Sequence, residues 1–406
     1  MISYFGGKAN MVDWINIYIP RNIKKYAEPF SGAFWTYINI KYQFPELDKI
    51  VYNDWNGHMA NLYACMTQPK VFAKKLEEAL SAGGFLYTDK KDKDDIRNFY
   101  KEIYYKYKHD KSEGNFLDNP PSNFPDFDAG VIYSFLITSA FNGCYPRSAG
   151  CSPISTNLKP KVTALLNKLK DERYIQKLSK ITDVHNEDFE EIFKKYDSSD
   201  TFFYVDPPYF SPNEDGADTA KRASWYGTKD FNYESHMRIL NILKNTKGRW
   251  ALSYYYFKEL EDLLPRDKYT WIQKDFYRSS ASFAEGEQTK GTELLIMNYK
   301  LTDEEIEYNK KFLNSTKKPT TKTTMTKKTE IEKPSEQLLD ELIVEIKKDL
   351  NSGDLQSLYE LLSFLPINNI KNYLPEVIEI VDDILITEDE ESGDNIVVEN
   401  SDDFWE

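Results

Sequence analysis

Thr201-Phe202-Phe203-Tyr204-Val205-Asp206-Pro207-Pro208-Tyr209-Phe210 is the stretch on which the reading of this chain turns. Thr201 to Val205 are all β-branched or aromatic, which predicts a buried strand. The strand must end at Asp206, because two prolines follow, and proline fixes its own φ and biases the residue before it towards extended geometry. Asp206 and Tyr209 then project beyond the carboxyl end of the strand, the edge of an open α/β sheet where ligands bind. The group this tetrapeptide suits is a planar amine. The Asp206 carboxylate and the Asp206 or Pro207 carbonyl can each accept a hydrogen bond from it, while Tyr209 stacks on the ring that carries it. An ordinary proline turn is the plain alternative for Pro207 and Pro208.

Other strand ends carry similar chemistry. Tyr26-Ala27 reads as the end of a short strand, with Glu28-Pro29-Phe30-Ser31-Gly32 as the turn after it and a helix expected from Ala33 to Phe44. Glycine in such a turn lets backbone approach a ligand closely. A second strand, Lys49 to Asn53, ends at Asp54, an acid placed to take ribose hydroxyls or simply to cap the helix expected over Gly57 to Met66. A third, Ile181 to His185, leads through Asn186-Glu187 to Asp188 and Phe189, an acid and an aromatic ring able to hold the amine and face of an adenine. Beyond the central strand a loop is expected over 211–230, with Lys221, Arg222 and Trp225. A helix follows from Tyr233 to Lys244, then strands over Arg249 to Tyr256, Tyr269 to Phe276 and Glu293 to Tyr299, with a loop from Arg278 to Gly291.

Residues 67–180 interrupt this alternation. Helical spacing runs from Lys70 to Ser81, a Lys- and Tyr-rich segment from Lys90 to Lys111, a Pro/Asn/Asp loop from Asp118 to Asp128, and an apolar helix from Gly130 to Phe141. The turn-rich stretch after it holds Asn142, Tyr145 and Arg147. Interleaved aromatic and cationic groups there suit contact with phosphates and bases, although a solvated helical face would look similar.

The chain has 406 residues and 47.5 kDa, enough for a full core, and a net charge of −14 that looks wrong for a protein touching nucleic acid. The charge is segregated: residues 330–406 hold 22 acidic and 4 basic side chains, which leaves 1–329 at +4. No apolar run approaches the ~20 residues of a membrane span, and the start of the chain has no basic-then-apolar leader pattern. Three cysteines fit a reduced, cytoplasmic setting and lack zinc spacing, so no metal is expected. Residues 314–329 read as a Lys/Thr-rich linker, 330–387 as a small helical module for docking a protein partner, and 388–406 as an acidic, disordered tail.

Taken in order, the glycine-lysine opening (Tyr4-Phe5-Gly6-Gly7-Lys8), the Glu28-Pro29-Phe30-Ser31-Gly32 turn, Asp54 and Asp206-Pro207-Pro208-Tyr209 resemble the Dam-type adenine-specific DNA methyltransferases over roughly residues 1–300. The resemblance implies a Rossmann-like α/β fold with a mixed sheet, formed by 1–66 and 181–300, and an inserted, mainly helical target-recognition region at 67–180. It implies S-adenosylmethionine as cofactor, bound by Tyr4, Lys8, the turn at Glu28 to Gly32, Asp54 on the ribose, and Asp188 with Phe189 on the adenine. Asp206 would lie between cofactor and target base, and Asn142, Tyr145 and Arg147 would touch double-stranded DNA. Beyond Arg147 the family's usual continuation is replaced by Ala149-Gly150-Cys151-Ser152-Pro153, so the recognised sequence is not implied. Methylation of adenine in RNA and a non-catalytic nucleic-acid-binding scaffold remain as alternatives at this point.

Overall fold

The computed structural model describes Ile2, Lys8 and residues 11–109, 115–148, 150–155, 157–209, 231–277 and 290–315. Tyr4, the expected loop over 211–230, residues 278–289 of the loop expected from Arg278 to Gly291, and the linker, helical module and tail from residue 316 onward lie outside the described residues; Lys290 and Gly291, expected in that loop, are strand instead.

The expected central strand, β4 (Thr201–Val205), is buried along its whole length. Alternate side chains explain why: Phe202 and Tyr204 enter one apolar cluster, Phe203 and Val205 the other, so both faces of the sheet are covered. Around it the strands β1 (Lys25–Glu28), β2 (Lys49–Asn53), β3 (Asp183–His185), β5 (Arg249–Tyr254), β6 (Thr270–Tyr277) and β7 (Lys290–Met297) form one sheet in the order β3-β2-β1-β4-β5-β7-β6. The first five of that order run parallel, and β7 enters antiparallel between β5 and β6. The chain therefore moves outward from β1 to β3 and returns to β4 beside β1. That reversal opens a crevice outside the carboxyl ends of β1 and β4.

Between β2 and β3 the chain builds helices instead of strands. After the short α1 (Val12–Asn16) and α2 (Trp35–Ile38), these are α3 (Gly57–Met66), α4 (Pro69–Leu80), α5 (Lys93–His109), α6 (Phe127–Ser139), α7 (Val162–Leu169) and α8 (Glu172–Leu178). α3 and α6 pack against each other. A Cβ at Gly130 would stand 2.7 Å from the Cys65 sulfur, which shows how closely they approach. Helix α6 begins earlier than its apolar run because the Asp126 side chain accepts from the Ala129 amide at 3.0 Å. It ends earlier because Ala140 leaves the helix to bridge Cys151.

The helix expected from Ala33 to Phe44 is instead the single turn α2. Gly32 and Phe34 both have positive φ, 49° and 54°. Two left-handed residues so close break any continuous helix, and the segment beyond Asn39 runs on with Ile40 and Tyr42 buried in the core.

The carboxyl half completes the body with α9 (Phe189–Tyr196), α10 (Tyr233–Asn245), α11 (Lys258–Leu263) and α12 (Asp303–Ser315). Helix α12 runs through Asn314, where a linker was expected. Its buried Asn309 donates to the Ile17 and Ile19 carbonyls at 2.8 and 3.1 Å, and the Arg21 guanidinium lies 3.5 Å from the centre of the Tyr308 ring. These bonds tie α12 to the segment that precedes β1.

Candidate active site

Beyond β4, Asp206 and Tyr209 face one another. The Tyr209 hydroxyl lies within hydrogen-bond reach of two carboxylates, Asp206 Oδ1 at 3.0 Å and Glu293 on β7, either of which can accept its one hydrogen, and its oxygen accepts from the Lys8 ammonium. The Lys8 ammonium lies 3.2 Å from Asp206 Oδ1, 2.9 Å from Glu293 Oε1 and 4.3 Å from the centre of the Tyr209 ring. The ring itself is held edge-on by Tyr255, with centroids 4.4 Å apart at 68°, and meets Tyr254 tilted at 45° with centroids 5.3 Å apart. Four polar side chains thus form a closed network at the mouth of the β1/β4 crevice.

Burial governs its electrostatics. It pushes the Asp206 carboxyl up to about 6, with Glu293 adding to the effect and Lys8 and Tyr209 opposing it. For Lys8 burial acts downward, but Asp206 and Glu293 together hold the ammonium above its ordinary range. Asp206 is therefore a carboxylate at neutral pH that protonates within reach of it.

Towards β1 the second group of residues meets. Glu28 is buried, and one of its oxygens accepts from the Tyr26 hydroxyl at 2.6 Å and the Tyr37 amide at 3.2 Å. Burial pushes this carboxyl well above the ordinary range, against those two hydrogen bonds. Asp54 caps two backbones at once, accepting from the Gly32 amide at 2.9 Å and the Asn56 amide at 2.8 Å. Burial raises it to about 6. Asn53, 1% exposed, fastens the loops beyond three strands. Its Nδ2 donates to the Pro29 carbonyl at 2.9 Å and the Glu187 carbonyl at 3.0 Å, and its Oδ1 accepts from the Glu187 amide at 3.0 Å.

Asp188 and Phe189 stand at the start of α9. Asp188 accepts from the Glu190 amide at 2.9 Å and pairs with Arg238 of α10, whose guanidinium lies 4.4 Å from the centre of the Phe189 ring. Phe189 meets Phe30 at 5.1 Å and 33°, and Phe231 closes on both. The acid and ring expected to hold an adenine are thus together, with Asp188 already sharing its oxygens.

In the inserted region Phe141–Gly143, which includes Asn142, is a short 3-10 turn. Tyr145 donates to the Leu117 carbonyl at 3.2 Å, and Arg147 pairs with Asp118 at 2.7 Å. Burial pushes the Cys151 thiol up to about 11, opposed by the charges of Lys101, Lys108 and Lys161. Asn56, at the end of the Asp54 loop, donates to the Tyr133 hydroxyl of α6 at 3.0 Å and joins this region to the sheet edge.

Residues 4–279 match the family model of the D12 class N6 adenine-specific DNA methyltransferases. The chain belongs to that family. It is an adenine-specific DNA methyltransferase, and its sheet order is that of the S-adenosylmethionine-dependent methyltransferase fold. The chain is 23% identical over 301 residues to the type II methyltransferase M.CviBI of Paramecium bursaria Chlorella virus NC1A, covering 74% of this chain and 99% of that protein. It is 28% identical over 258 residues to the modification methylase StsI of Streptococcus sanguinis, covering 62% of this chain and 34% of the relative. To the type II methyltransferase M.FokI of Planomicrobium okeanokoites it is 26% identical over 313 residues, covering 73% and 42%.

Sequence reading missed three residues of this candidate site. Glu293 carried a signal, an acid directly before an apolar run, Leu294 to Met297. Asn53 and Arg238 carried none, since each acts on residues far away in the chain. Among the described residues no group of His, Cys, Asp and Glu is placed to hold a metal ion, and no helix is long and apolar enough to cross a membrane.

Proposed function

We propose that the protein is a site-specific methyltransferase that moves a methyl group from S-adenosylmethionine to the exocyclic N6 amine of an adenine flipped out of duplex DNA. The observation that carries this reading is the pairing of the Asp206 carboxylate with the Tyr209 ring at the mouth of the β1/β4 crevice.

The residues along that crevice fit the cofactor. Asp54 spends one hydrogen bond per oxygen on its own backbone, which leaves acceptor capacity for ribose hydroxyls. Gly32, with φ 49°, brings bare backbone to the same edge, and Phe30, Phe189 and Asp188 offer rings and an acceptor for an adenine. When bound, the cofactor supplies an electrophilic methyl group on a sulfonium.

The chain's own residues do the rest by positioning. Tyr209 stacks on the extruded base, worth ~1–3 kcal/mol and so offsetting part of the few kcal/mol that flipping costs. Asp206 and the Pro207 carbonyl each accept one N6 hydrogen, which turns the nitrogen lone pair outward and stabilises the charge it gains. The two prolines keep these acceptors stiff. Asp206, held up to about 6, is also suited to receive the proton that the methylated amine sheds.

Residues 67–180 serve as the target-recognition region, with Asn142, Tyr145 and Arg147 on DNA and Lys101, Lys108 and Lys161 of the same region for phosphates. Residues 330–387 dock a protein partner. By likeness to the modification methylases, the protein marks adenines within a restriction-modification pair. Incubation with labelled cofactor and sequence-diverse DNA, followed by mapping of modified bases, tests the reading. N6-methyladenine at one short motif in duplex DNA is expected. Equal or faster transfer to RNA of the same sequence would favour the RNA reading.

A further inference from the structure

Glu293 is 2% exposed on a strand whose neighbours Leu294, Leu295 and Ile296 are core residues. A leucine there would fill the space without desolvating a charge, so an acid at this position calls for a role beyond packing. Its partners supply one. It accepts from the Tyr209 hydroxyl and holds Lys8 at 2.9 Å, while Lys8 also touches Asp206 at 3.2 Å and donates to the Tyr209 hydroxyl oxygen. Lys8 therefore occupies Asp206 Oδ1, one of the acceptors that an amine-bearing purine needs, and stands at the hydroxyl edge of Tyr209. A target amine that takes that oxygen displaces the ammonium from Asp206, and Glu293 is the carboxylate left to hold it.

We propose that Glu293 is a positioning residue for the methyl transfer, fixing Tyr209 through its hydroxyl and keeping Lys8 on a second carboxylate while Asp206 takes the adenine amine. This rests on the Asp206–Tyr209 clamp proposed above. Two carboxylates, the buried Glu293 and the partly exposed Asp206, facing one ammonium also leave the site negative, which favours the positive charge that develops on the amine. The groups facing Asp206 are Lys8, Glu293, Tyr209, Tyr204 and Glu28. Of these Glu293 is the like charge that most directly raises its protonation.

The test uses the full chain with Glu293→Gln, Tyr209→Phe, the double variant and Asp206→Ala, measuring kcat, cofactor affinity and the acid limb of the rate. Glu293→Gln is expected to lower kcat about tenfold or more, with cofactor affinity within about twofold. The acid limb moves to lower pH, which a merely structural role would not cause. Tyr209→Phe keeps the ring and loses the hydroxyl, so it also lowers kcat, and the double variant loses less than the product of the two single effects. A folded Glu293→Gln protein with wild-type kcat and acid limb overturns the proposal. So does Tyr209→Phe with wild-type kcat, which decides the matter even where Glu293→Gln does not fold. Inactive Asp206→Ala beside unaffected Glu293→Gln and Tyr209→Phe sinks the Glu293 role alone, whereas active Asp206→Ala sinks the clamp with it.

Discussion

Asp206→Ala should remove activity while leaving the protein as stable as before or more so. Burial raises this carboxyl from 3.8 to about 6, and at about 1.4 kcal/mol per unit its ionisation at neutral pH costs the fold about 3 kcal/mol. The sign follows from the direction of the shift. A carboxyl raised in the folded state carries no penalty below its unfolded value and the full penalty above its folded one, so the cost grows as pH rises through the window from 3.8 to about 6. Removing a short, partly exposed side chain forfeits about 1 kcal/mol of packing, and Lys8 keeps Glu293 at 2.9 Å. The variant is therefore expected to match or exceed wild type by up to about 2 kcal/mol at pH 8. The advantage should shrink as pH falls through the window. Against that, loss of the acceptor at the developing charge should lower kcat by about 10²–10³ or more. Denaturant melts at several pH values and methyl transfer under saturating substrates measure the two quantities. A variant destabilised by several kcal/mol at pH 8, or one with near wild-type kcat, would refute the reasoning.

Tyr209→Ala should reduce kcat/KM for DNA by about 10- to 100-fold, since one base–aromatic stack is lost; steady-state kinetics over a DNA titration check it. At saturating cofactor, kcat/KM for DNA should fall about tenfold per pH unit below pH 6, as protonation removes the Asp206 acceptor; a rate flat to pH 5 would contradict this. Asp54→Asn should weaken cofactor binding by at least about tenfold through loss of a charged acceptor, with DNA binding unchanged, as calorimetric titration of each ligand would show. Asn53→Ala should cost about 1–3 kcal/mol of stability, because the Pro29 and Glu187 backbone groups lose a buried partner; chemical denaturation reads that out.

Much of the sheet was legible because its strands are short apolar runs that end in acids or prolines. β2 and β4 occupy the residues expected of them, and α3 begins and ends at Gly57 and Met66. The turn after Gly32 was not legible, since nothing local marks Phe34 as left-handed. Its conformation follows from Glu28 capturing the Tyr37 amide and from Phe34 packing against Tyr37, Tyr52 and Tyr63. α12 was hidden for a similar reason: its anchor, Asn309, finds partners nearly the whole body away in sequence. The acid and ring of the site could be named from their strand end, but Glu293 reaches them across more than eighty residues. Spacing along a chain does not encode such a contact.

The clamp itself is tested most directly by a crystal structure with duplex DNA and the demethylated cofactor product bound. The account predicts an extruded adenine lying on the Tyr209 ring, its N6 within about 3.2 Å of an Asp206 oxygen, and Lys8 withdrawn to Glu293. An adenine still stacked in the helix, or one whose amine points away from Asp206, would contradict it.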